Sequence, residues 1–457
     1  MNKFLLAAVI LLLLAGCKKE NQLYSPVNLL PGSYVQNEVL VTFKPGTDEA
    51  TINKIISKTG ASVKERVLTE AMAFSNDPGY YVLSVIDVAG TIEQLTKHYC
   101  VQTAEPDYLA NAPETESTSI LSRPSARTNT DLSSQQWNLL GPNSATPEPY
   151  GSNAEPEWAT TKGSKNVYIG IINAGINYTH PDLVDNIWTN PFDPVDKKDN
   201  DGNGYVDDIH GWNFSGSNNK IDGECLDYRG SRVAGIIGAA DNADGIIGAS
   251  PLVTYISGKF MTCGGGRMND VVKAIDYFVS LKVNHGLNIV ALDNSWSTTK
   301  GARPSSTLQT AIERANKAGI LLVASAADYN LNMDQSPIYP ACYPNDNVIA
   351  VGSVKRSGGL TTNSNWGAQT VDLLAPGESI ISTYSVTDPY RTANGTWEAA
   401  PHVSAAIALY VAAKGLTPTN AADAAAIKSA ILNSTRSNNE FTGLSAHGLL
   451  DIYAACQ

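Results

Sequence analysis

Positive charge is scarce in this sequence: 32 Lys and Arg stand against 44 Asp and Glu, a formal net charge of −12 at pH 7. A nucleic-acid binder needs clustered cations, and no basic tract appears, which argues against nucleic acid as a partner. Zinc spacing is missing as well, because the six cysteines (Cys17, Cys100, Cys225, Cys263, Cys342 and Cys456) form no C-x-x-C or Cys/His pattern. With Cys17 set aside, five remain, an odd number, so at least one thiol stays unpaired within the chain. The apolar run Phe4 to Leu14 is too short to span a bilayer comfortably.

What is present is the composition of a folded protein of more than one domain: 457 residues, 43% hydrophobic and 17% charged. Residues 1–16 read as a secretory signal, with Lys3 ahead of the apolar run. Leu14-Ala15-Gly16-Cys17 resembles the lipobox of bacterial lipoproteins, which implies lipidation at Cys17 and a tether over 17–36. The expected location is the bacterial cell envelope, at the periplasmic face or cell surface, with membrane contact through the lipid anchor only.

Residues 37–111 alternate strand-like and helix-like patterns. Val39 to Phe43 and Tyr80 to Val85 read as strands, and Asp48 to Gly60 and Thr91 to His98 as helices. The order resembles the ferredoxin-like inhibitory propeptide of secreted subtilisin-like peptidases. Residues 112–134, rich in Ser, Thr, Pro and Glu, predict an exposed linker.

From 135 to 457, β-like apolar runs alternate with helical segments, the pattern of a mainly parallel sheet with helices on both faces. The predicted strands are Val167 to Ile172, Val253 to Ile256, Asn288 to Leu292, Ile320 to Ala324 and Val348 to Val351. The predicted helices are Met268 to Val283, Ser305 to Ala318, Glu398 to Ala413 and Asn420 to Leu432. Functional residues of such sheets gather at strand C-terminal ends and in the loops that follow.

Four stretches there carry a specific likeness. Tyr168 to Ile176 with His180-Pro181-Asp182-Leu183, Arg229 to Gly238, Leu322 to Asp328 and Asn394 to Ser404 resemble, in order, the four site blocks of the subtilisin-like serine peptidases. The resemblance implies an α/β fold, a three-layer αβα body behind a small α+β propeptide domain. It also implies positions for a triad and an oxyanion donor. The carboxylate position holds Asn173, the imidazole position Arg229, the nucleophile position Trp397 and the oxyanion position Asp328.

A triad needs a carboxylate to orient an imidazole, an imidazole to take a proton and a hydroxyl to attack. An amide, a permanently charged guanidinium and an indole supply none of these. None of His98, His180, His210, His285, His402 and His447 lies in the block that would supply the base. Thr396, next to the nucleophile position, is expected to point elsewhere. In the substrate cleft, Ser295, Trp296 and Ser297 match the substrate-pairing strand, with Ser297 and Ala327 standing where relatives carry Gly. Opposite charges among Arg229, Arg232, Asp328 and Glu398 could pair and close the site.

The resulting expectation is a non-enzyme: a catalytically inactive subtilisin-like homologue that holds a protein or peptide in its cleft, its own propeptide-like domain foremost. The alternative is an active endopeptidase using unfamiliar groups. A second site is expected at Asp199, Asp201, Asn203, Tyr205 and Asp207, whose alternating oxygens resemble the first nine positions of an EF-hand loop and suit a structural Ca²⁺.

Overall fold

A computed structural model describes residues 29–111, 131–223, 228–385 and 388–457. The signal segment, Cys17, most of the expected linker and Cys225 lie outside the described residues.

The N-terminal unit runs β1 (Tyr34–Phe43), α1 (Glu49–Lys58), β2 (Ser62–Val67), α2 (Glu70–Phe74), β3 (Tyr80–Ser84), α3 (Val88–Thr96) and β4 (Val101–Asn111). Its helices start where a side chain can accept an orphan N–H: Asp48 takes that of Thr51, and Asp87 that of Gly90. Period-two alternation splits the strands between two cores. Val39, Val41, Tyr81 and Leu83 pack on α1 and α3, whereas Leu40, Tyr80 and Val82 pack against the rest of the molecule.

The body contains β5 (Tyr168–Asn173), β6 (Gly211–Asn213), α4 (Arg229–Gly238), β7 (Thr254–Lys259), β8 (Met261–Thr262), β9 (Gly265–Arg267), α5 (Met268–His285), β10 (Ile289–Asn294), β11 (Ser297–Thr298) and α6 (Ser306–Lys317). It continues with β12 (Leu321–Ser325), β13 (Val348–Val354), β14 (Leu373–Pro376), β15 (Ile380–Thr383), β16 (Tyr390–Ala393), α7 (Thr396–Lys414), α8 (Ala421–Asn433) and α9 (Ile452–Cys456). The central sheet, in the order β14-β13-β12-β10-β5-β7-β6, pairs parallel throughout. In β12, Leu321 and Val323 join one core with α7 and α8, while Leu322 and Ala324 join the other with α5 and α6. Both faces of the sheet are therefore covered, as the run-rich sequence predicts.

The second sheet crosses the boundary between the two units. β4 pairs antiparallel with β1 on one side; its far end pairs with β9 and with β11 of the body, Ser297 opposite Asn111 and Thr298 opposite Ala110. The strand that ends the N-terminal unit thus adds backbone hydrogen bonds to the edge at Ser297.

Candidate active site

The sheet's C-terminal edge brings the four positions to one end of the body. Asn173 closes β5, Arg229 opens α4, Ala327 and Asp328 follow β12, and Trp397 lies in the first turn of α7. Gly395 makes this turn possible: its φ is +138°, in the region that side chains avoid, and its N–H donates to Gly377 O at 2.8 Å.

Each position is committed to local contacts. Asn173 donates from Nδ2 to Ser295 O at 3.2 Å and accepts the Ala174 N–H through Oδ1 at 2.7 Å, so its amide ties β5 to the cleft strand. Arg229 begins a helix whose next turn carries the buried Arg232. Arg232 Nε donates to Glu398 Oε1 at 2.6 Å, Nη1 to Arg391 O at 2.6 Å and Nη2 to Ile380 O at 3.0 Å. Its guanidinium carbon also sits 5.6 Å from the centre of the Trp397 ring. Trp397 is buried, and its Nε1 has no hydrogen-bond partner among the described residues.

Asp328 faces the start of α7. It accepts the Thr396 N–H at 3.0 Å and the Thr396 hydroxyl at 3.0 Å. The hydroxyl expected to point away is therefore held on a carboxylate. Burial pushes the Asp328 carboxyl up to about 6, the two Thr396 donors pull it down, and the charge of Glu398 raises it again. Of the four charges expected to pair, Arg232 and Glu398 do so directly, while Asp328 has taken a threonine. Ala327 holds a left-handed φ of +70°, a conformation that suits glycine.

The cleft strand is buried. Ser295 donates from Oγ to Asp293 at 2.6 Å, and Ser404 of α7 donates to the other oxygen of the same carboxylate at 2.7 Å. Burial lifts Asp293 to about 6 against those two hydroxyls. Trp296 is buried edge-on to Phe260, with Nε1 donating to Asn294 at 3.1 Å. Sequence patterns gave no sign of the Asp293 network, since a carboxylate in a strand of apolar neighbours carries no spacing signal.

The only imidazole on α7, His402, is buried and faces away from the cleft contacts: Nδ1–H donates to Glu398 O at 3.0 Å, and Nε2 accepts from Asn138 at 2.8 Å. Burial holds it down to about 4, so it is neutral. His180 is likewise neutral, pushed to about 4 by burial while its Nε2–H donates to Pro389 O at 3.0 Å.

The expected calcium loop is folded tightly upon itself. Asp199 accepts the N–H groups of Asn203 at 3.1 Å and Gly204 at 2.8 Å. Asp201 and Asp208 both accept from the Asn203 amide, at 3.2 and 3.1 Å, and both face Asn190. Asp207 points elsewhere, onto the N–H groups of Asp196 and Lys197 at 2.9 and 3.0 Å, and the Tyr205 ring packs on Trp212, Phe214 and Tyr277. Among the described residues no cluster of three or more His, Cys, Asp or Glu forms a ready metal cage. The donors are nevertheless all oxygens, the chemistry that calcium prefers, and the buried Asp193 Oδ2 beside them has no hydrogen-bond partner.

Comparison with known proteins gives two family matches: the subtilase family over residues 164–449, and the fervidolysin N-terminal prodomain over residues 28–107. The chain is 30% identical over 383 residues to the thermophilic serine proteinase of Bacillus sp. (strain AK1), covering 83% of this chain and 78% of that protein. It is 30% identical over 294 residues to subtilisin DY of Bacillus licheniformis, covering 64% of this chain and 91% of that protein. Among solved structures, fervidolysin from Fervidobacterium pennivorans, described as a keratinolytic enzyme related to subtilisin, superposes with a TM-score of 0.68 at 20% identity, over 94% of this chain and 62% of that one.

These matches correct one expectation. Asn173, Arg229, Asp328 and Trp397, taken alone, would put the chain outside the enzymes. The relative it matches over 83% of its length is a serine proteinase, and side chains at four positions do not outweigh that alignment.

Proposed function

The chain belongs to the subtilase family, and from that premise we propose that it hydrolyses peptide bonds as an endopeptidase, using groups other than the usual triad. The observation that carries this reading is the alignment with a serine proteinase over 83% of the chain. The groups that support it locally are the Thr396 hydroxyl and the Asp328 carboxylate, 3.0 Å apart at the start of α7.

In this reading Thr396 Oγ adds to the scissile carbonyl carbon while its proton passes to Asp328. The C–N bond then breaks as Asp328 returns the proton to the leaving amine; water adds to the ester carbon as Asp328 takes its proton, and the bond to Thr396 Oγ breaks as Asp328 hands that proton to the threonine oxygen. A carboxylate at the oxyanion position opposes developing negative charge, but once it has taken the proton it is neutral and can donate. Thr396 is buried and Asp328 half-buried, so substrate entry requires the rim to open. Loss of an imidazole base costs roughly 10⁶ in kcat in a subtilisin-type site, so turnover is expected to be slow.

The test is release of fluorescent peptides from labelled casein over hours, by the wild type and by Thr396→Val and Asp328→Asn, with folding checked by circular dichroism. Activity lost in both variants supports the reading; a wild type indistinguishable from its heat-inactivated control overturns it. Activity that survives both variants moves the chemistry to other groups.

Three finer readings accompany this one. Lipidation at Cys17 would anchor the protein in the cell envelope; a Cys17→Ser variant that still partitions with membranes would overturn it. The N-terminal domain is the first partner of the cleft, supported by the pairing of Asn111 with Ser297. Calcium would be held by the loop oxygens of Asp199, Asp201 and Asn203, where it would fix the loop and take no part in chemistry.

A further inference from the structure

The seam between the N-terminal domain and the body is electrically polarised. Most carboxylates that the N-terminal domain presents there meet a positive partner. Glu105 caps α6, accepting from the Ser305 hydroxyl at 2.7 Å and the N–H groups of Ser306 and Thr307 at 2.7 and 3.0 Å. Glu65 pairs with Lys273, and Asp77 with Arg314 at 2.7 Å.

Asp107, on β4, is different. It is fully buried; Oδ1 accepts the Asn269 N–H of α5 at 3.0 Å, and Oδ2 has no hydrogen-bond partner among the described residues. The charged groups around it come from every neighbouring element. Glu38 comes from β1, Arg267 from the end of β9, Asp270 from α5, and the Tyr80 hydroxyl from β3, which donates to Asn269 at 2.6 Å. Lys64 pairs with Glu38 and Lys273 lies beside Asp270, one shell further out.

Three carboxylates thus share one guanidinium, and its good geometry is already used. Arg267 gives Nε and Nη2 to Asp270 at 3.1 and 3.0 Å, leaving Nη1 at 3.5 Å from Glu38 Oε2, itself a buried oxygen without a hydrogen bond. An ionised Asp107 would therefore keep one buried oxygen without a donor among the described residues.

We infer that this seam is a proton-operated latch, in which the N-terminal domain docks with Asp107 protonated and is loosened when Asp107 ionises. Burial, reinforced by Asp270 and Glu38, lifts the docked carboxyl to about 7 against the pull of the Asn269 N–H and Arg267. In water the same group titrates near about 4. Docking therefore takes up a proton between those values, is tightest below the lower one and weakens as pH rises through the upper.

The full chain tests this by amide exchange, corrected for intrinsic rates, at pH 5.5 and pH 8. The expected result is that β4 amides lose roughly tenfold or more of their protection at pH 8 relative to β13, each pK unit being tenfold in the docking equilibrium, and that Asp107→Asn keeps β4 protected at both values. Equal protection of wild-type β4 at the two pH values overturns the latch, as does an Asp107→Asn protein with the wild-type loss. Should that variant not fold, the carboxyl ¹³C titration of Asp107 in the wild type decides: a midpoint near 7 supports the latch and one near 4 overturns it.

Discussion

Arg232 and Glu398 form an ion pair of 2.6 Å with both side chains buried, and through it α4 is fastened to the first turn of α7. The other guanidinium nitrogens bind carbonyls of Arg391 and Ile380, so one side chain joins two helices and the β15–β16 hairpin. Breaking a buried ion pair by removing one partner costs about 3–5 kcal/mol. Arg232→Met should therefore lower stability by that amount in urea denaturation, and Arg232→Met with Glu398→Met should recover most of it. A double variant as unstable as the single one would show that packing, and not the buried charge, sets the cost.

Gly395 shapes the turn before Trp397. A Cβ added there would lie 2.6 Å from Trp397 Nε1 and 2.9 Å from Asp328 Oδ2, on a backbone whose φ of +138° already disfavours one. Gly395→Ala should cost about 1–3 kcal/mol. Adding Trp397→Ser removes the indole clash but not the backbone strain, so thermal denaturation should show partial recovery only.

Arg314 holds two carboxylates, one of them across the domain seam: Nε and Nη2 bind Asp276 at 2.8 and 2.9 Å, and Nη1 binds Asp77 of the N-terminal unit at 2.7 Å. Among the described residues, Arg314→Met leaves the buried Asp276 with only the Thr69 hydroxyl at 2.7 Å. A loss of about 3 kcal/mol or more is expected, with Asp276→Asn in the same chain restoring part of it. Urea titration of the two variants measures this.

The sequence was most legible where periodicity and packing agree. The helix predicted from Met268 to Val283 is α5, Met268–His285, stopped by Gly286 in a left-handed turn, and the strand predicted from Ile320 to Ala324 is β12, one residue displaced. The short pairs β8–β9 and β11–β4 were not foreseen, because two- and three-residue strands exist only through the partner that completes their hydrogen bonds. At the site, the positions of Asn173, Asp328 and Trp397 could be read from motif order. The Thr396–Asp328 contact could not, since it depends on how a loop after β12 meets a helix sixty-eight residues later. The same holds for Asp208, which joins Asp201 at the Asn203 amide while Asp207 turns away, a choice set by backbone direction.

Calcium binding to the folded loop would raise stability by mass action. Millimolar Ca²⁺ should raise the Tm relative to EDTA, and Asp201→Asn should abolish most of that response. Equal melting temperatures with Ca²⁺ and EDTA would remove calcium from the description of this loop.

His402 provides a test of stability against pH. Its folded value, near 4, lies below the roughly 6.5 of a solvated imidazole, so the unfolded chain binds the extra proton between the two. The stability this residue contributes is complete above about 6.5 and is lost as pH falls towards 4. Asp182 and Asp293 act in the opposite direction, since burial lifts both to about 6 and the folded state then binds the extra protons as pH falls. The overall profile therefore mixes both signs, and only a difference isolates the histidine. In His402→Gln the side-chain oxygen can still accept from Asn138, but the titrating group is gone. The stability difference between wild type and variant, measured by urea denaturation, should shift against the wild type by up to about 3 kcal/mol between pH 7.5 and pH 4.5. A constant difference would mean that His402 takes up its proton as readily in the folded protein as in the unfolded chain, with the Asn138 side chain turning its oxygen towards the protonated Nε2.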